Sequence, residues 1–332
     1  MTQTTVANPL LQGRGLPPFD QIQASDVIPA VETLLAELEQ TLTHLEKTVE
    51  PTWEGLVDPL TVLEERLNWT WGTISHLMGV KNSPELRQAF EQAQPQLVRF
   101  INRLGQSRPL YDAFVSLKAS PQWDSLEPAQ QRIVESNIRE AQLAGVGLTG
   151  HTRERFNTIQ LALAELATQF SNNVLDATQA FTLRLTTAAE IQGLPPSLLA
   201  LAAQTARQKG DETATADTGP WLITLDYPSY LPFMKYSQRG DLREKLYRGF
   251  IRRAAAGDWD NHPLIAQILA LRLEMAQILG FDTYAEMSLS RKMATDVAAV
   301  ETLLEELRSP SYQAAEQELA ALKRFAKTDT LN

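Results

Sequence analysis

Cysteine is absent from the 332 residues, and histidine occurs only four times. Without cysteine the chain cannot form disulfides, thiolate zinc sites or a cysteine nucleophile, and this composition fits a reducing compartment. The four histidines, His44, His76, His151 and His262, never stand three to five residues apart. Helical zinc and di-iron sites need such spacings to place their ligands on one face. The residues themselves therefore indicate no metal ligand and no catalytic residue.

The sequence also lacks long apolar runs and an excess of positive charge. No apolar stretch approaches the roughly 20 residues of a membrane-spanning helix, and the first residues do not resemble a secretory signal. We therefore expect a cytoplasmic protein with no membrane partner. The net charge is −10 and the isoelectric point is about 5.0. Because phosphate binding needs a positive field, nucleic acid is not an expected partner.

Much of the chain carries apolar residues at spacings of three and four, the pattern of amphipathic helices. One such stripe runs from Val31 to Val49, and another runs from Val297 to Leu307. From His262 to Leu279 the apolar residues cover two helix faces, which predicts a helix that is buried on most sides.

Two short segments have the alternation typical of strands, "FTLRLTT" from Phe181 and "WLITLDY" from Trp221. Their pairing across the intervening residues predicts a small sheet on a helical body. The fold class that we predict is mainly α, a large helical domain with a small antiparallel β element inserted.

The segment "GVGLTG", Gly145 to Gly150, has the spacing of a dinucleotide-binding glycine motif. That motif requires a preceding strand and a following helix, whereas the residues before Gly145 have a helical pattern. A glycine-rich helix end and loop is the better interpretation.

Several stretches, in the same order, resemble the N-terminal half of the thimet oligopeptidase-like zinc metallopeptidases, especially the bacterial oligopeptidase A branch. These stretches are "LPPFDQI", "SHLMGVKNSPELRQAFE", "AQLAGVGL", "ELATQFSNNVLDATQAF", "YPSYLPFMKYSQRGDLREKLYRGFIRRA" and "ALRLEMAQILGFDTYAEMSLSRKMA". Each is moderately specific, and together they extend over nearly the whole chain. The resemblance implies a fold like the N-terminal half of thimet oligopeptidase and neurolysin. We expect an N-terminal helical region at 1–150 and, at 151–332, a helical region with the β element that continues into a catalytic domain.

The resemblance implies a zinc endopeptidase that cleaves short peptides in a channel between two mostly helical halves. Its zinc site uses an H-E-x-x-H helix and a further glutamate, and this sequence contains neither that motif nor a residue to which those roles transfer. We therefore expect zinc in the full-length enzyme, none bound by this chain, and a missing C-terminal catalytic half as its partner. The chain alone would form one channel wall and be inactive. A free-standing helical peptide- or protein-binding module is the alternative, and a scaffold for other proteins is a third reading.

Residues 227–256 are rich in tyrosine and basic residues within this acidic chain. A packed pair of helices is the simplest interpretation. If part of this segment lines the peptide channel, Tyr230 and Arg252 are the candidates, since tyrosine offers an apolar face with a polar tip and arginine can hold a peptide carboxylate. A half-protein should also expose the apolar face that meets its missing half, which would make the isolated chain prone to association.

Overall fold

The computed structural model describes residues 8–326 and shows a mainly α fold with one small antiparallel sheet. The predicted fold class is confirmed. The α-helices and strands, in chain order, are α1 Ala24–Thr48, α2 Asp58–Val80, α3 Pro84–Gly105, α4 Arg108–Lys118, α5 Pro128–Leu143, α6 Gly150–Ala180, β1 Leu183–Leu185, α7 Pro196–Gln208, β2 Trp221–Ile223, α8 Tyr227–Tyr236, α9 Gly240–Ile251, α10 His262–Ile278, α11 Tyr284–Leu289 and α12 Val297–Ala326. Within these residues, no helix is long and apolar enough to cross a membrane.

The described chain divides into two units. The first unit combines the residues up to Leu161 with those from Ala270 onward, and the second is Ala162–Leu269. The division therefore falls inside α6 and α10. This division does not test the predicted boundary between regions 1–150 and 151–332, which stays a prediction.

In the first unit, α1 packs along α3, and the core between these helices and α2 and α4 is built from leucine and phenylalanine side chains. Leu38 and Leu42 of α1 lie at helical spacing and are almost fully buried. Serine side chains cap the starts of two helices, Ser83 at α3 and Ser107 at α4. Such caps satisfy backbone N–H groups that have no partner inside the helix.

A polar contact links the same helices at the edge of this core. The Arg103 guanidinium on α3 donates two hydrogen bonds to the Glu46 carboxylate on α1, at 2.7 and 2.5 Å. The Ser107 hydroxyl donates a third hydrogen bond to Glu46, at 2.5 Å. Arg103 is the main cause that lowers the pKa of the Glu46 carboxyl below its ordinary value. Glu46 therefore stays ionised and joins α1, α3 and the start of α4.

The segment from Gly145 to Gly150 forms the loop between α5 and α6 and the first residue of α6, as the sequence indicates. Gly145 has a φ of +83°, and a Cβ atom there would lie 2.7 Å from the Leu148 side chain. The positive φ therefore favours glycine, and a larger residue would also have to displace the Leu148 side chain, so no phosphate site is needed to explain it.

In the second unit, β1 and β2 pair antiparallel with Leu183 opposite Ile223 and Leu185 opposite Trp221. All four side chains are buried, and they belong to a core that also contains residues of α7, α8 and α9. The predicted strand pairing is confirmed.

The buried side chain of Asn261, just before α10, holds that helix start to α6. Its carbonyl oxygen accepts a hydrogen bond from Asn173, at 2.8 Å, and its amide donates to the Phe170 backbone oxygen, at 3.2 Å. Its backbone oxygen accepts from Ile265, as expected of a residue that caps a helix.

The prediction that α10 is buried on most sides is wrong. Its first face contains buried Leu264 and Met275, but on the second face Ala276 is buried while Ile265 and Leu269 are 42% and 60% exposed. The predicted apolar pattern is present, but among residues 8–326 the part of the second face at Ile265 and Leu269 stays uncovered. The same is true of α12, which forms the predicted helix and buries none of its residues.

Candidate functional site

The predicted channel segment forms α8 and α9, and Phe250 is the centre of its packing. The Tyr230 ring stacks on the Phe250 ring with 4.2 Å between centroids, and the Tyr227 ring meets it edge-on at 5.9 Å. The Arg253 guanidinium lies over the Phe250 ring, 3.8 Å from its centroid. These are favourable aromatic and cation–π arrangements, each worth about 0.5–1.5 kcal/mol. They account for two of the four tyrosines and one of the five arginines of this segment as packing.

Tyr230 is buried, with 8% of its surface exposed. Burial is the main cause that raises the pKa of its phenol above the ordinary value, and nearby Tyr247 adds to the shift. The hydroxyl therefore stays protonated in neutral solution and can donate a hydrogen bond. Neighbouring Tyr227 is 61% exposed, so the accessible aromatic surface here belongs to Tyr227 more than to Tyr230.

Arg252 lies immediately after the last residue of α9 and is exposed. Unlike Arg253, whose Nε donates to the Phe250 carbonyl oxygen at 2.9 Å, the Arg252 side chain has no partner among the described residues. The two predicted residues thus differ. Tyr230 is held in the core, and Arg252 presents an unpaired guanidinium at the surface.

The histidines do not converge on a metal site. His151 and His262 each contact one acidic neighbour, Glu154 and Asp260, and His76 lies against the Phe19 ring. Residues 8–326 contain no group of three or more histidine, aspartate or glutamate side chains that could hold a metal ion. These residues do not fit a zinc centre, and no catalytic step through zinc is assigned to them.

Sequence reasoning missed a cavity in the first unit, where Glu64 of α2 and Asn102 of α3 line a volume of about 360 Å³. One weak signal was available, since Glu64 stands four residues after buried Leu60 and so shares its side of α2. Asn102 is off the main apolar stripe of α3 and gave no signal.

Two family models match this chain. One is described as the neurolysin and thimet oligopeptidase N-terminal domain and matches residues 31–153. The other is described as peptidase family M3 and matches residues 233–332. The second match begins at Phe233, so it includes all of α9 and Arg252 but only the end of α8, and Tyr230 lies outside it.

Individual relatives extend the match to almost the whole chain. A probable cytosolic oligopeptidase A from Arabidopsis thaliana is 52% identical over 324 residues, which are 98% of this chain. An organellar oligopeptidase A from the same plant is 52% identical over 325 residues, and oligopeptidase A from Salmonella typhimurium is 41% identical over 330 residues. The resemblance to the thimet oligopeptidase-like family is confirmed.

The chain spans about half the length of the curated relatives it matches. The matched part is 46% of the cytosolic Arabidopsis protein, 41% of the organellar one and 48% of the Salmonella protein. What this family's enzymes do as whole proteins therefore does not transfer to this chain without further support.

Proposed function

We propose that this chain is the N-terminal part of a zinc metallo-endopeptidase that hydrolyses short peptides, in the manner of oligopeptidase A. In this proposal the chain forms one wall of the substrate channel, and a separate or continuing catalytic half supplies the zinc site. The observation that carries the proposal is the 52% identity over 98% of the chain to a relative of about twice its length.

Two features of the described residues support a partner half. They lack a cluster of metal ligands, so the zinc chemistry needs other residues. The helix α12 carries large exposed apolar side chains along its length, including Leu304, Leu307 and Leu322. Extended exposed apolar surfaces mark interaction sites in soluble proteins.

The first test is the intact mass of the native protein, captured from its source cells with an antibody raised against residues 31–153. The proposal expects either a polypeptide much larger than 37.0 kDa or a species of that mass bound to a second polypeptide that contains H-E-x-x-H. The captured material should cleave a fluorogenic short peptide, and a zinc chelator should abolish the cleavage. A species of 37.0 kDa that is alone and inactive would overturn the proposal.

That negative result would favour the second candidate function, a free-standing helical module that binds peptides or proteins. The unpaired Arg252 and the exposed face of α12 support it, because both are available for binding without a catalytic half. A cytoplasmic location is proposed for either function. The names of the two plant relatives, one cytosolic and one organellar, make fractionation of the source cells the deciding measurement.

The channel residues can be tested in the assembled enzyme. Arg252→Ala should raise KM for peptides with a free C-terminal carboxylate and leave kcat nearly unchanged, because binding alone is lost. Arg248→Ala is the matched control, since Arg248 is one turn earlier on α9 and is paired with Glu244 at 2.8 Å. Tyr230→Phe should change KM or kcat only if the Tyr230 hydroxyl contacts the substrate. If Arg252→Ala and Tyr230→Phe both have the same KM and kcat as Arg248→Ala, neither Arg252 nor Tyr230 contacts the substrate.

A further inference from the structure

The cavity in the first unit lies among α2, α3, α4 and α5, and its floor is apolar. Leu60, Leu104, Leu110, Phe114 and Leu143 contribute side chains to its lining. Its volume of about 360 Å³ is at the lower end of the range of about 300–1,000 Å³ that small-molecule sites occupy. A compact apolar group therefore suits it by size and by surface.

A buried polar side chain that lines this cavity has no partner. Asn102 is 7% exposed, and its side-chain amide makes no hydrogen bond to any described residue. Every fully buried side-chain nitrogen or oxygen in the described chain does have a partner, so the Asn102 amide is not fully enclosed. Because Asn102 lines the cavity, the cavity gives this amide its access to water or a ligand. A ligand that pairs with it would satisfy a group that is otherwise costly to bury.

One carboxylate at the same cavity is also unpaired. Glu64 lines the cavity from its solvent-exposed edge and has no ion pair or hydrogen bond among the described residues. Surrounding protein raises the pKa of its carboxyl by desolvation, as expected of a carboxylate that lacks a compensating cation.

The other charged groups of the lining do not cancel Glu64. Arg291 and Glu140 both line the cavity, and they pair with each other at 3.0 Å. Asn137 uses its amide nitrogen on the Ile133 backbone oxygen, at 2.9 Å, which leaves its carbonyl oxygen available as an acceptor. The free charge of the cavity is therefore negative, and a cation is the ligand it favours.

We propose that this cavity binds a primary ammonium group carried on a compact apolar body. The ammonium would donate hydrogen bonds to Glu64, the body would cover the leucine and phenylalanine floor, and Asn102 would pair with a polar atom next to the ammonium. An apolar amino-acid amide and the first residue of a short apolar peptide both have this chemistry. The site is formed entirely by the first unit, so it does not depend on the proposed peptidase function.

The test is a calorimetric titration of the full chain with leucine amide, alongside N-acetyl-leucine amide as a probe of similar body without the charge. We expect saturable one-to-one binding of leucine amide and at least tenfold weaker binding of the acetylated probe, since a charged hydrogen bond is lost. Isoamylamine keeps the ammonium and the apolar body but lacks the amide. It therefore distinguishes a site that binds any amine from a site that also recognises the amide beside the N-terminal ammonium of a peptide. Weaker binding of isoamylamine supports the role of Asn102, and equal binding removes that role.

Two substitutions locate the site. Glu64→Gln should weaken leucine amide binding about tenfold or more, whereas Glu65→Gln, at the next and also exposed position, should leave it unchanged. Methyl NMR provides an independent readout, since leucine amide should shift the signals of Leu60, Leu104 and Leu143 but not that of Leu198 in the other unit. Equal binding to wild type and Glu64→Gln, no saturation at millimolar probe, or shifts confined to the second unit would each overturn the proposal.

Discussion

The helices α1 and α12 have similar sequence patterns and opposite environments. Both are long, with 25 and 30 residues, and both repeat apolar side chains at spacings of three and four. Seven residues of α1 are buried, whereas α12 has no buried residue. An apolar stripe thus specifies which face a helix can bury, and a neighbour has to be present before that face stabilises anything.

The two helices should also differ in stability. The face of α1 is covered by α2, α3 and α4, so its helical hydrogen bonds are supported by tertiary packing. Both helices contain an internal proline, Pro29 in α1 and Pro310 in α12, which removes a backbone hydrogen bond and crowds the preceding turn, but only α1 has buried residues to offset that loss. Because isolated helices are marginal in water, α12 needs a covering partner more than its regular pattern suggests.

The sharpest way to break this comparison is the same substitution in both helices. Leu38→Ala should lower the free energy of unfolding by about 2–5 kcal/mol, because Leu38 is 1% exposed and its loss leaves a cavity in the core. Leu307→Ala, at a position that is 58% exposed, should change it by no more than about 0.5 kcal/mol. Urea denaturation followed by circular dichroism measures both. A similar loss in the two variants would mean that α12 is covered in solution.

A second prediction concerns the ion pair that supports α1. Glu46→Gln should lower the free energy of unfolding by about 1–2 kcal/mol at neutral pH, because it removes a charge-assisted contact with Arg103. The Glu46 side chain is only 14% exposed. Glu39→Gln is the matched control, since Glu39 contacts the same Arg103 at 3.4 Å but is 45% exposed, and it should cost less than about 0.5 kcal/mol.

The pH dependence of this pair has a defined sign. Because the folded state lowers the pKa of Glu46, its stabilisation is present above the unfolded-state value of about 4.3 and is lost as the pH falls through the folded value. The difference in stability between wild type and Glu46→Gln should therefore shrink on acidification below about pH 4.3. A difference that is unchanged at pH 3 would show that the pair is not the cause.

How far the sequence predicts this molecule differs between local and long-range features. Helical spacing located α1 and α12, and glycine at 145 marks a helix end where φ is positive. The exposure of Ile265 and Leu269 could not be predicted in this way, because burial depends on what lies opposite a face. The cavity was missed for a related reason. Asn102 became an unpartnered amide only when α2, α4 and α5 closed around it, and one helix gives no sign of that.

Asn102 lies in the well-packed first unit but has a side-chain amide without a partner among the described residues, and a substitution can test what that amide costs. Asn102→Leu should raise the free energy of unfolding by about 0.5–1 kcal/mol, since it replaces an unpartnered amide with apolar volume that extends into the cavity. Thermal and urea denaturation would detect this. The opposite sign would show that water or another group already satisfies the amide in solution, and it would weaken the case for a ligand there.

The smallest effect on stability should come from the double substitution Leu304→Gln and Leu307→Gln in α12. Both side chains are more than half exposed, at 59% and 58%, and glutamine keeps good helix propensity, so the free energy of unfolding should change by less than about 0.5 kcal/mol. Association in sedimentation velocity and binding of a dye for apolar surface should nevertheless fall, because the exposed stripe is shortened. Matched substitutions at Glu305 and Glu306, charged neighbours on the same helix, should leave both readouts unchanged. If the leucine variant instead loses stability, and loses it more at high protein concentration, a second copy of the chain covers α12 and its exposure in the single chain is not its state in solution.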